Sequence, residues 1–287
     1  MADPADLFAY VRGEIVPLDR AFLHVSDLAI QRGYGVFDFF KVVDGQPLFL
    51  EQHLDRFEAS ARQMELAVPL SRAALESAIR ELITRHDLPV SGVKVLLTGG
   101  YSTDGYTPAE ANLVMLQQPF AFPTPAQVAQ GISIISHDYV REMPPVKTIN
   151  YTMGIRLIKE IKARRADDVL YHKNGLVTEF PRSNFFIVKH DNTVATPAQD
   201  VLWGITRQNL LGLSGTPYRI TEAPVTLQDV REAKEAFLTS TTKRVLPVVQ
   251  LDGAPIGSGK PGAVTLALLD ALVELEERQL KTLLEKQ

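Results

Sequence analysis

Short apolar segments follow one another closely in the second half of the chain, and their spacing restricts the fold more than any other feature. Strands are predicted at Asp168–His172, Val177–Thr178, Asn184–Val188 and Thr193–Ala195, with only short connections between them. Short strands that are separated by only a few residues, with few helices between them, are typical of antiparallel or mixed pairing. We therefore expect such a sheet here rather than a doubly wound parallel one.

The chain is long enough for two domains. Its 287 residues exceed the size that one hydrophobic core usually serves. The Pro-rich stretch Pro119–Pro125 is the best candidate for a linker. The predicted boundaries are a small α/β domain over residues 1–118, an interdomain linker over 119–130 and a larger domain over 131–287.

Periodicity and turn signals predict further elements along the chain. Helices are expected at Glu51–Met64, Ser71–His86, Tyr151–Arg165, Gly262–Leu284 and from Thr206, as N-cap, to about Leu213. Strands are expected at Phe8–Tyr10, Phe37–Val43, Pro47–Leu50, Val93–Thr98, Asn112–Gln117, Glu235–Thr239 and Leu246–Val249, and Gly131–His137 begins the second domain.

Composition excludes several classes of function. The net charge of −4 and the lack of a basic run give no indication of nucleic acid or an anionic membrane surface. The sequence has no cysteine, which rules out thiolate catalysis and is compatible with the cytoplasm, the expected location. The start MADPADLF lacks the features of an export signal. Scattered histidines without metal-ligand spacing lead us to expect no metal site.

A lysine and a glutamate are the first candidates for chemistry. Lys147 follows Pro144-Pro145 in the segment VKTINY, and Glu179 comes 32 residues later at a predicted strand end. A lysine amine has an ordinary pKa of about 10.4 and becomes a nucleophile at neutral pH only when its surroundings lower that pKa. A carboxylate beside a pyridine nitrogen keeps that ring protonated. Alone, each residue more commonly lies in solvent.

Two segments predict backbone corners that hold a phosphate. They are GITR, Gly204–Arg207, and the loop at Ser240–Thr242. Backbone N–H groups at a corner or helix N-terminus carry partial positive charge, which favours an anion. The segment GITR fits a local turn capped by Thr206 equally well.

Arg56 is the candidate cationic partner of the phosphate, since a guanidinium suits bidentate contact. It fits equally well a pair with Asp55 or Glu51 on its own helix. An amine nucleophile, an acid and a phosphate cradle are together what an enzyme needs to hold pyridoxal 5′-phosphate (PLP) as a Schiff base.

The combination of motifs resembles the fold-type IV (class IV) PLP-dependent aminotransferases, which include D-amino acid and branched-chain aminotransferases and aminodeoxychorismate lyase. The motifs that carry the resemblance are KTINY, VLYHKNGLVTE, SNFFIV, TPAQDVLWGITR and EAFLTSTTKRVLPV, with RGYGVFDFFKV and HLDRFEASA in the first half. The resemblance implies a mixed α+β or α/β protein with a small N-terminal α/β domain and a larger domain built on a mixed sheet or pseudo-barrel. It also implies a homodimer.

The resemblance implies a role for each matching residue. Lys147 matches the Schiff-base lysine, which also moves the proton in transamination, and Glu179 matches the acid at the pyridine nitrogen. Leu202 matches the apolar residue packed against the ring. The phosphate is expected to contact Arg56 and the backbone amides of Ile205, Thr206, Ser240 and Thr241.

The chain departs from the family patterns where substrate is expected to bind. Phe180-Pro181-Arg182 interrupts the serine run typical of D-amino acid aminotransferases, and Gly99–Asp104 lacks their arginine–histidine carboxylate trap. The VFEG pattern of branched-chain enzymes is also absent. Substrate contacts are therefore expected among Arg32, Phe37, Phe39, Lys94, Phe180, Arg182 and Thr242, although the three phenylalanines also fit ordinary core positions and Arg182 also fits an outward-facing side chain.

Three activities are consistent with these residues. The three basic candidates, Arg32, Lys94 and Arg182, suit an amino donor and an acceptor that are rich in carboxylates. We therefore expect D-amino acids such as D-glutamate or D-alanine as donors, with 2-oxoglutarate as acceptor. The Asn150-Tyr151 pair resembles the branched-chain subgroup and favours L-amino acids. Aminodeoxychorismate lyase, which uses the same fold and lysine, is the third alternative.

Overall fold

A computed structural model describes residues 7–285. The chain forms two compact units. Among the described residues, the first comprises 7–121, the segment Val146–Asn150 and 279–285, and the second comprises Phe122–Pro145 and Tyr151–Arg278. No helix within residues 7–285 is long and apolar enough to cross a membrane.

The first unit is built on an antiparallel sheet of six strands in the order β2-β1-β6-β5-β3-β4. Two amphipathic helices, α2 and α3, bury their apolar residues in its core, which includes Phe40, Leu54, Phe57 and Ile79. The elements are β1 Phe8–Val11, β2 Glu14–Pro17, a 3₁₀ turn Leu18–Arg20, α1 Leu28–Arg32, β3 Gly35–Val43, β4 Gln46–Pro47, α2 Leu50–Gln63, α3 Arg72–Thr84, β5 Val90–Thr98 and β6 Leu113–Pro119.

The second unit contains a mixed sheet of nine strands, in the order β12-β11-β10-β13-β14-β7-β8-β9, with β15 paired to β14. Only the pairs β11–β12, β14–β7 and β7–β8 are parallel, so the predicted mixed sheet is correct. The elements are α4 Pro125–Gln130, β7 Ile132–Asp138, α5 Thr152–Arg156, α6 Ile158–Ala163, β8 Asp168–Lys173, β9 Leu176–Val177, β10 Asn184–Val188, β11 Val194–Thr196, α7 Ile205–Leu211, β12 Ile220–Glu222, α8 Leu227–Arg231, β13 Glu235–Ser240, β14 Arg244–Leu251, β15 Ala254–Pro255 and α9 Ala263–Leu284.

The segment that carries Lys147 belongs to the first unit, whereas the predicted boundaries placed it in the second. Thr148 forms a β-bridge with Val36 of β3, and Ile149 donates its backbone N–H to the carbonyl of Gly35 at 3.1 Å. Residues far apart in sequence are thereby joined, which local sequence patterns do not reveal. The end of α9 also belongs to the first unit, where the Gln279 side chain accepts the Phe49 N–H.

Several predicted elements are shorter or divided. The helix predicted over Tyr151–Arg165 consists of α5 and α6, which meet at Leu157. The strand predicted at Pro47–Leu50 ends at Pro47, because Phe49 takes a left-handed conformation (φ 56°) that starts α2. The predicted linker over 119–130 contains helix α4, whose N-cap Thr124 and Gln127 form a capping box.

Candidate active site

Lys147 is fixed to strand β3 by its backbone. Its carbonyl oxygen accepts the Phe37 N–H at 2.9 Å, and its own N–H donates to the Ser60 hydroxyl at 3.2 Å. The side chain is half-buried, and its Nζ lies 4.5 Å from the centroid of the Phe37 ring. A backbone anchored on both sides gives the amine a defined direction, as a covalent attachment point requires.

A second amine approaches the same ring. Nζ of Lys94 lies 5.5 Å from the Phe37 centroid, and Lys94 pairs with Phe39 across β5 and β3. Because side chains alternate along a strand, Phe37 and Phe39 share one face of the sheet. Both rings are half-buried. The structure thus brings Lys147, Lys94 and the two phenylalanines together in the first unit.

Arg56 is held by a buried carboxylate that sequence reasoning missed. Its Nε and Nη2 donate to the two oxygens of Asp38, each at 2.8 Å. Asp38 is fully buried and also accepts a hydrogen bond from His53 Nδ1 at 2.7 Å. Asp55 and Glu51, the alternative partners suggested by the sequence, do not form this ion pair; both accept hydrogen bonds from Arg72. The sequence signal that could have identified Asp38 is that it is a single acidic residue on the otherwise apolar face of β3.

The Asp38 cluster has a definite charge state. Burial alone would raise the pKa of Asp38, but the charge of Arg56 and the hydrogen bonds from Arg56 and His53 outweigh it and lower that pKa below its ordinary value. Burial lowers the pKa of His53, although Asp38 opposes the shift. A neutral His53 therefore donates to an ionised Asp38, and together they orient the Arg56 guanidinium.

Arg32 lies at the end of α1, next to the loop at residues 99–110. Its side chain is exposed and donates to the carbonyl of Gln31 at 2.9 Å. The loop comes close, since a Cβ on Gly105 would lie 3.8 Å from Nη2 of Arg32. Asp104 stabilises the loop by accepting hydrogen bonds from Ser102, Tyr106 and Thr107.

Glu179 is buried and its carboxylate is held at both oxygens. Arg141 Nε donates to Oε1 at 2.7 Å, and the Leu202 N–H donates to Oε2 at 2.9 Å. Arg141 also donates to the carbonyl of Pro144 in the loop that leads to Lys147. Only 4% of Glu179 is exposed, so it is not a solvated turn residue. A fixed carboxylate of this kind fits the protonated nitrogen of a pyridine ring.

Arg141 is a second residue that sequence reasoning missed. It follows strand β7 by three positions and precedes Lys147 by six. A cation between a strand end and a Pro-bounded loop was the available signal, but nothing local indicated that its partner would be Glu179, 38 residues further on.

Both predicted corners exist in the second unit. Helix α7 begins at Ile205 with Gly204 as N-cap, so the prediction of Thr206 as N-cap is wrong. Gly204 has extended backbone angles (φ −62°, ψ 137°), whereas Ile205 and Thr206 form the first helical turn. Ser240 ends β13, and Thr241 and Thr242 form the tight turn into β14, where the Ser240 hydroxyl accepts the Lys243 N–H at 3.2 Å. Leu202, Thr206, Ser240, Thr241 and Thr242 are half-buried.

Two substrate candidates in the second unit have different surroundings. Phe180 is fully buried in the core of this unit, where its ring meets Phe185 edge to face at 5.8 Å. The predicted substrate contact is therefore corrected to a core position, which the apolar neighbours on β10 enforce. Arg182, two residues later, is exposed.

Comparison with known proteins decides the family. The model of the class IV aminotransferases matches residues 35–251. The chain belongs to this family. Membership confirms the predicted activity class, a PLP-dependent aminotransferase.

Two proteins that are similar to this chain have different named activities. The chain is 30% identical to the D-alanine aminotransferase of Listeria monocytogenes serotype 4b (strain F2365), over 92% of this chain and 94% of the relative. It is 27% identical to a putative branched-chain-amino-acid aminotransferase of Methanocaldococcus jannaschii, over 94% and 96% of the two chains. Similarity alone thus leaves D- and L-specificity open.

The fold is also that of a solved aminotransferase. A branched-chain amino acid aminotransferase from T.th., solved with pyridoxamine 5′-phosphate, matches with a TM-score of 0.86 and 26% identity over 93% of each chain. The expected fold-type IV architecture is therefore confirmed.

Proposed function

We propose that this aminotransferase acts on D-amino acids, such as D-glutamate or D-alanine, with a 2-oxo acid such as 2-oxoglutarate as acceptor. The observation that carries the proposal is the position of Lys94, whose amine lies over the same Phe37 ring as the Lys147 amine. A cation there suits a substrate carboxylate close to the reactive amine. The 30% identity to a D-alanine aminotransferase also supports it.

The proposed residue roles combine what the family resemblance implies with the chemistry of each group. Lys147 provides the amine that attaches the cofactor and later carries the proton to and from the substrate carbon. Glu179 holds the proton on the ring nitrogen, and PLP supplies the electron sink that makes the substrate carbon acidic. Arg56 and the amides of Ile205, Thr206, Ser240 and Thr241 bind the phosphate. Leu202 packs against the ring.

Four residues are proposed to contact the substrate. Lys94 binds a carboxylate, and Arg32 beside the loop at residues 99–110 replaces the missing carboxylate trap. Phe37 and Phe39 limit the width of the substrate site because both rings face the Lys94 side of the sheet. The roles of Arg182 and Thr242 stay predictions, with Arg182 available in solvent to reach a second carboxylate.

A homodimer is proposed as the active assembly. Phe22, Val25 and Ile30 lie around the start of α1 in the first unit and expose 74%, 69% and 58% of their surface. Neighbouring exposed apolar side chains commonly mark a protein interface. Light scattering of the purified protein tests the assembly, and cell fractionation tests the proposed cytoplasmic location.

Half-reactions with single amino acids separate the candidate functions. The holoenzyme is mixed with D-glutamate, D-alanine or L-leucine, and loss of the near-visible cofactor absorption is followed with the 2-oxo acid formed. Conversion with the two D-amino acids supports the proposal. Conversion with L-leucine alone would establish a branched-chain enzyme, the activity named for the solved T.th. structure. Pyruvate release from aminodeoxychorismate without an acceptor would establish the lyase.

A further inference from the structure

Asn184 makes an unusual set of contacts for the first residue of a strand. It is 95% buried and forms an isolated backbone bridge with Glu179. Its side-chain Nδ2 donates to the carbonyl oxygen of Leu202 at 2.7 Å. One residue therefore contacts both the acid and the loop that precedes α7.

The backbone of Leu202 also contacts Glu179. The Leu202 N–H donates to Glu179 Oε2 at 2.9 Å, while its carbonyl accepts from Asn184. The Leu202 carbonyl also accepts the Gly204 N–H at 2.9 Å, so Asn184 and Gly204 together hold the peptide that follows Leu202 and thereby limit the backbone torsions of Leu202 that direct its own N–H. The position of the Glu179 carboxylate is in turn coupled to the direction of that N–H.

Gly204 keeps the loop close to Asn184. A Cβ on Gly204 would lie 2.1 Å from Asn184 Oδ1, closer than atoms in a protein approach. The backbone of Gly204 (φ −62°) is open to any residue, so contact with Asn184, and not conformation, explains the glycine. The amide side chain is enclosed between the Leu202 carbonyl and the Gly204 backbone.

We propose that Asn184 is a positioning residue that fixes the Leu202 peptide and, through it, the Glu179 carboxylate at the ring nitrogen of PLP. This rests on the proposed role of Glu179. Asn184 itself is not a catalytic residue, since it acts through Leu202. Without the Asn184 bond the Leu202 carbonyl keeps only the bond from the Gly204 N–H, so the Leu202 backbone can shift, and Glu179 then loses a donor that a buried carboxylate needs.

Cofactor affinity of the Asn184→Ala variant tests the proposal. Apoenzyme is titrated with PLP, and the unfolding temperature of the apoenzyme is recorded in parallel. We expect the dissociation constant of PLP to rise about 10-fold or more, because a lost hydrogen bond to a buried charged group costs about 1.5–3 kcal/mol. Asn184→Asp, which keeps the shape but lacks the donor, is expected to weaken binding similarly.

Thr196→Val provides the matched control. Its hydroxyl donates to the Phe185 carbonyl at 2.7 Å, an equally buried side-chain bond to the backbone in the same sheet that does not involve Leu202. This variant is expected to lose stability while binding PLP as the wild type does. An equal rise of the dissociation constant in Thr196→Val and Asn184→Ala would overturn the proposal.

Gly204→Ala gives an independent measurement if Asn184→Ala does not fold. The new Cβ pushes the amide away, so the PLP dissociation constant should rise as it does in Asn184→Ala. The double variant should be no weaker than Asn184→Ala alone, since both changes break the same connection. Fully additive losses, or unchanged affinity in every variant, would refute the positioning role. Failure of the wild type to bind PLP would instead refute the proposed function.

Discussion

Lys147 and Phe37 contact each other twice. The Phe37 N–H donates to the Lys147 carbonyl at 2.9 Å, and the Lys147 amine lies 4.5 Å from the centroid of the Phe37 ring. Lys147, the proposed attachment point of the cofactor, is therefore fixed by backbone and side chain to β3, which also carries Asp38. The environment of this amine can be tested through the groups around β3.

Lys94 is the first such group. Replacing Lys94 with Met removes the second amine at the Phe37 ring and keeps much of the side-chain volume. We expect KM for the 2-oxo acid to rise about 10-fold or more, because a charge-assisted hydrogen bond to a carboxylate is lost. Steady-state kinetics with 2-oxoglutarate measure this change.

Lys94→Arg is the matched control, because it keeps the charge. It should retain most of the affinity for the 2-oxo acid. Equal KM values for wild type and Lys94→Met would show that Lys94 does not bind substrate.

His53 makes the first unit sensitive to acid. Burial lowers the pKa of His53 in the folded state, whereas the unfolded residue titrates near its ordinary value of 6.5. Below that pH, His53 binds a proton in the unfolded chain but not in the folded chain, so the free energy of unfolding falls as the pH falls. Above it, His53 is neutral in both states and no longer makes the free energy of unfolding depend on pH. Asp38, with its lowered pKa, contributes stability that is lost only at more acidic pH.

The unfolding temperature between pH 7.5 and 5.5 measures this effect. We expect it to decline less steeply in His53→Gln than in the wild type. His190→Gln, at an exposed histidine, should keep the wild-type slope. An unchanged slope in His53→Gln would contradict the account of this cluster.

Arg141→Met leaves the buried Glu179 carboxylate without its guanidinium partner. Breaking one side of a buried ion pair typically costs about 3–5 kcal/mol, so a marked loss of stability and weaker PLP binding are expected. Urea unfolding and cofactor titration measure the two effects. Arg85→Met, which removes an exposed pair with Glu81, should cost no more than about 0.5 kcal/mol. Equal losses in both variants would contradict a special role for Arg141.

Gly92 provides space for Phe39. A Cβ on Gly92 would lie 1.9 Å from the Cζ atom of that ring. Gly92→Ala should therefore destabilise the protein by about 1–3 kcal/mol and displace the ring. Adding Phe39→Ala should make the alanine at position 92 harmless, which a double-mutant cycle of unfolding free energies reveals. Additive losses would mean that the two residues do not interact.

Local patterns predicted the regular elements well. Strand β10 occupies Asn184–Val188 as predicted, because its five residues are all buried and apolar after Asn184. Short elements were missed: α1 spans only Leu28–Arg32 and depends on the Asp27 side chain, which caps it. The N-cap of α7 was misassigned because Thr206 suits a cap by residue type, whereas Gly204 is required by Asn184.

Long-range partners were beyond the sequence. The residue types of Lys147, Glu179 and Arg56 identified candidates for chemistry, but not the groups that hold them. Arg141 pairs with Glu179 across 38 residues, and Asp38 pairs with Arg56 across 18. Only the folded chain brings such partners together, and they determine the direction of the Arg56 and Glu179 side chains.

Covalent attachment of the cofactor tests the central claim most directly. The PLP-loaded enzyme is reduced with borohydride, digested and analysed by mass spectrometry, alongside a Lys147→Ala variant. We predict a pyridoxyl group on the peptide that contains Lys147 and on no other peptide, with label and transamination both lost in Lys147→Ala. A label on a different lysine, or normal turnover in the variant, would contradict the account.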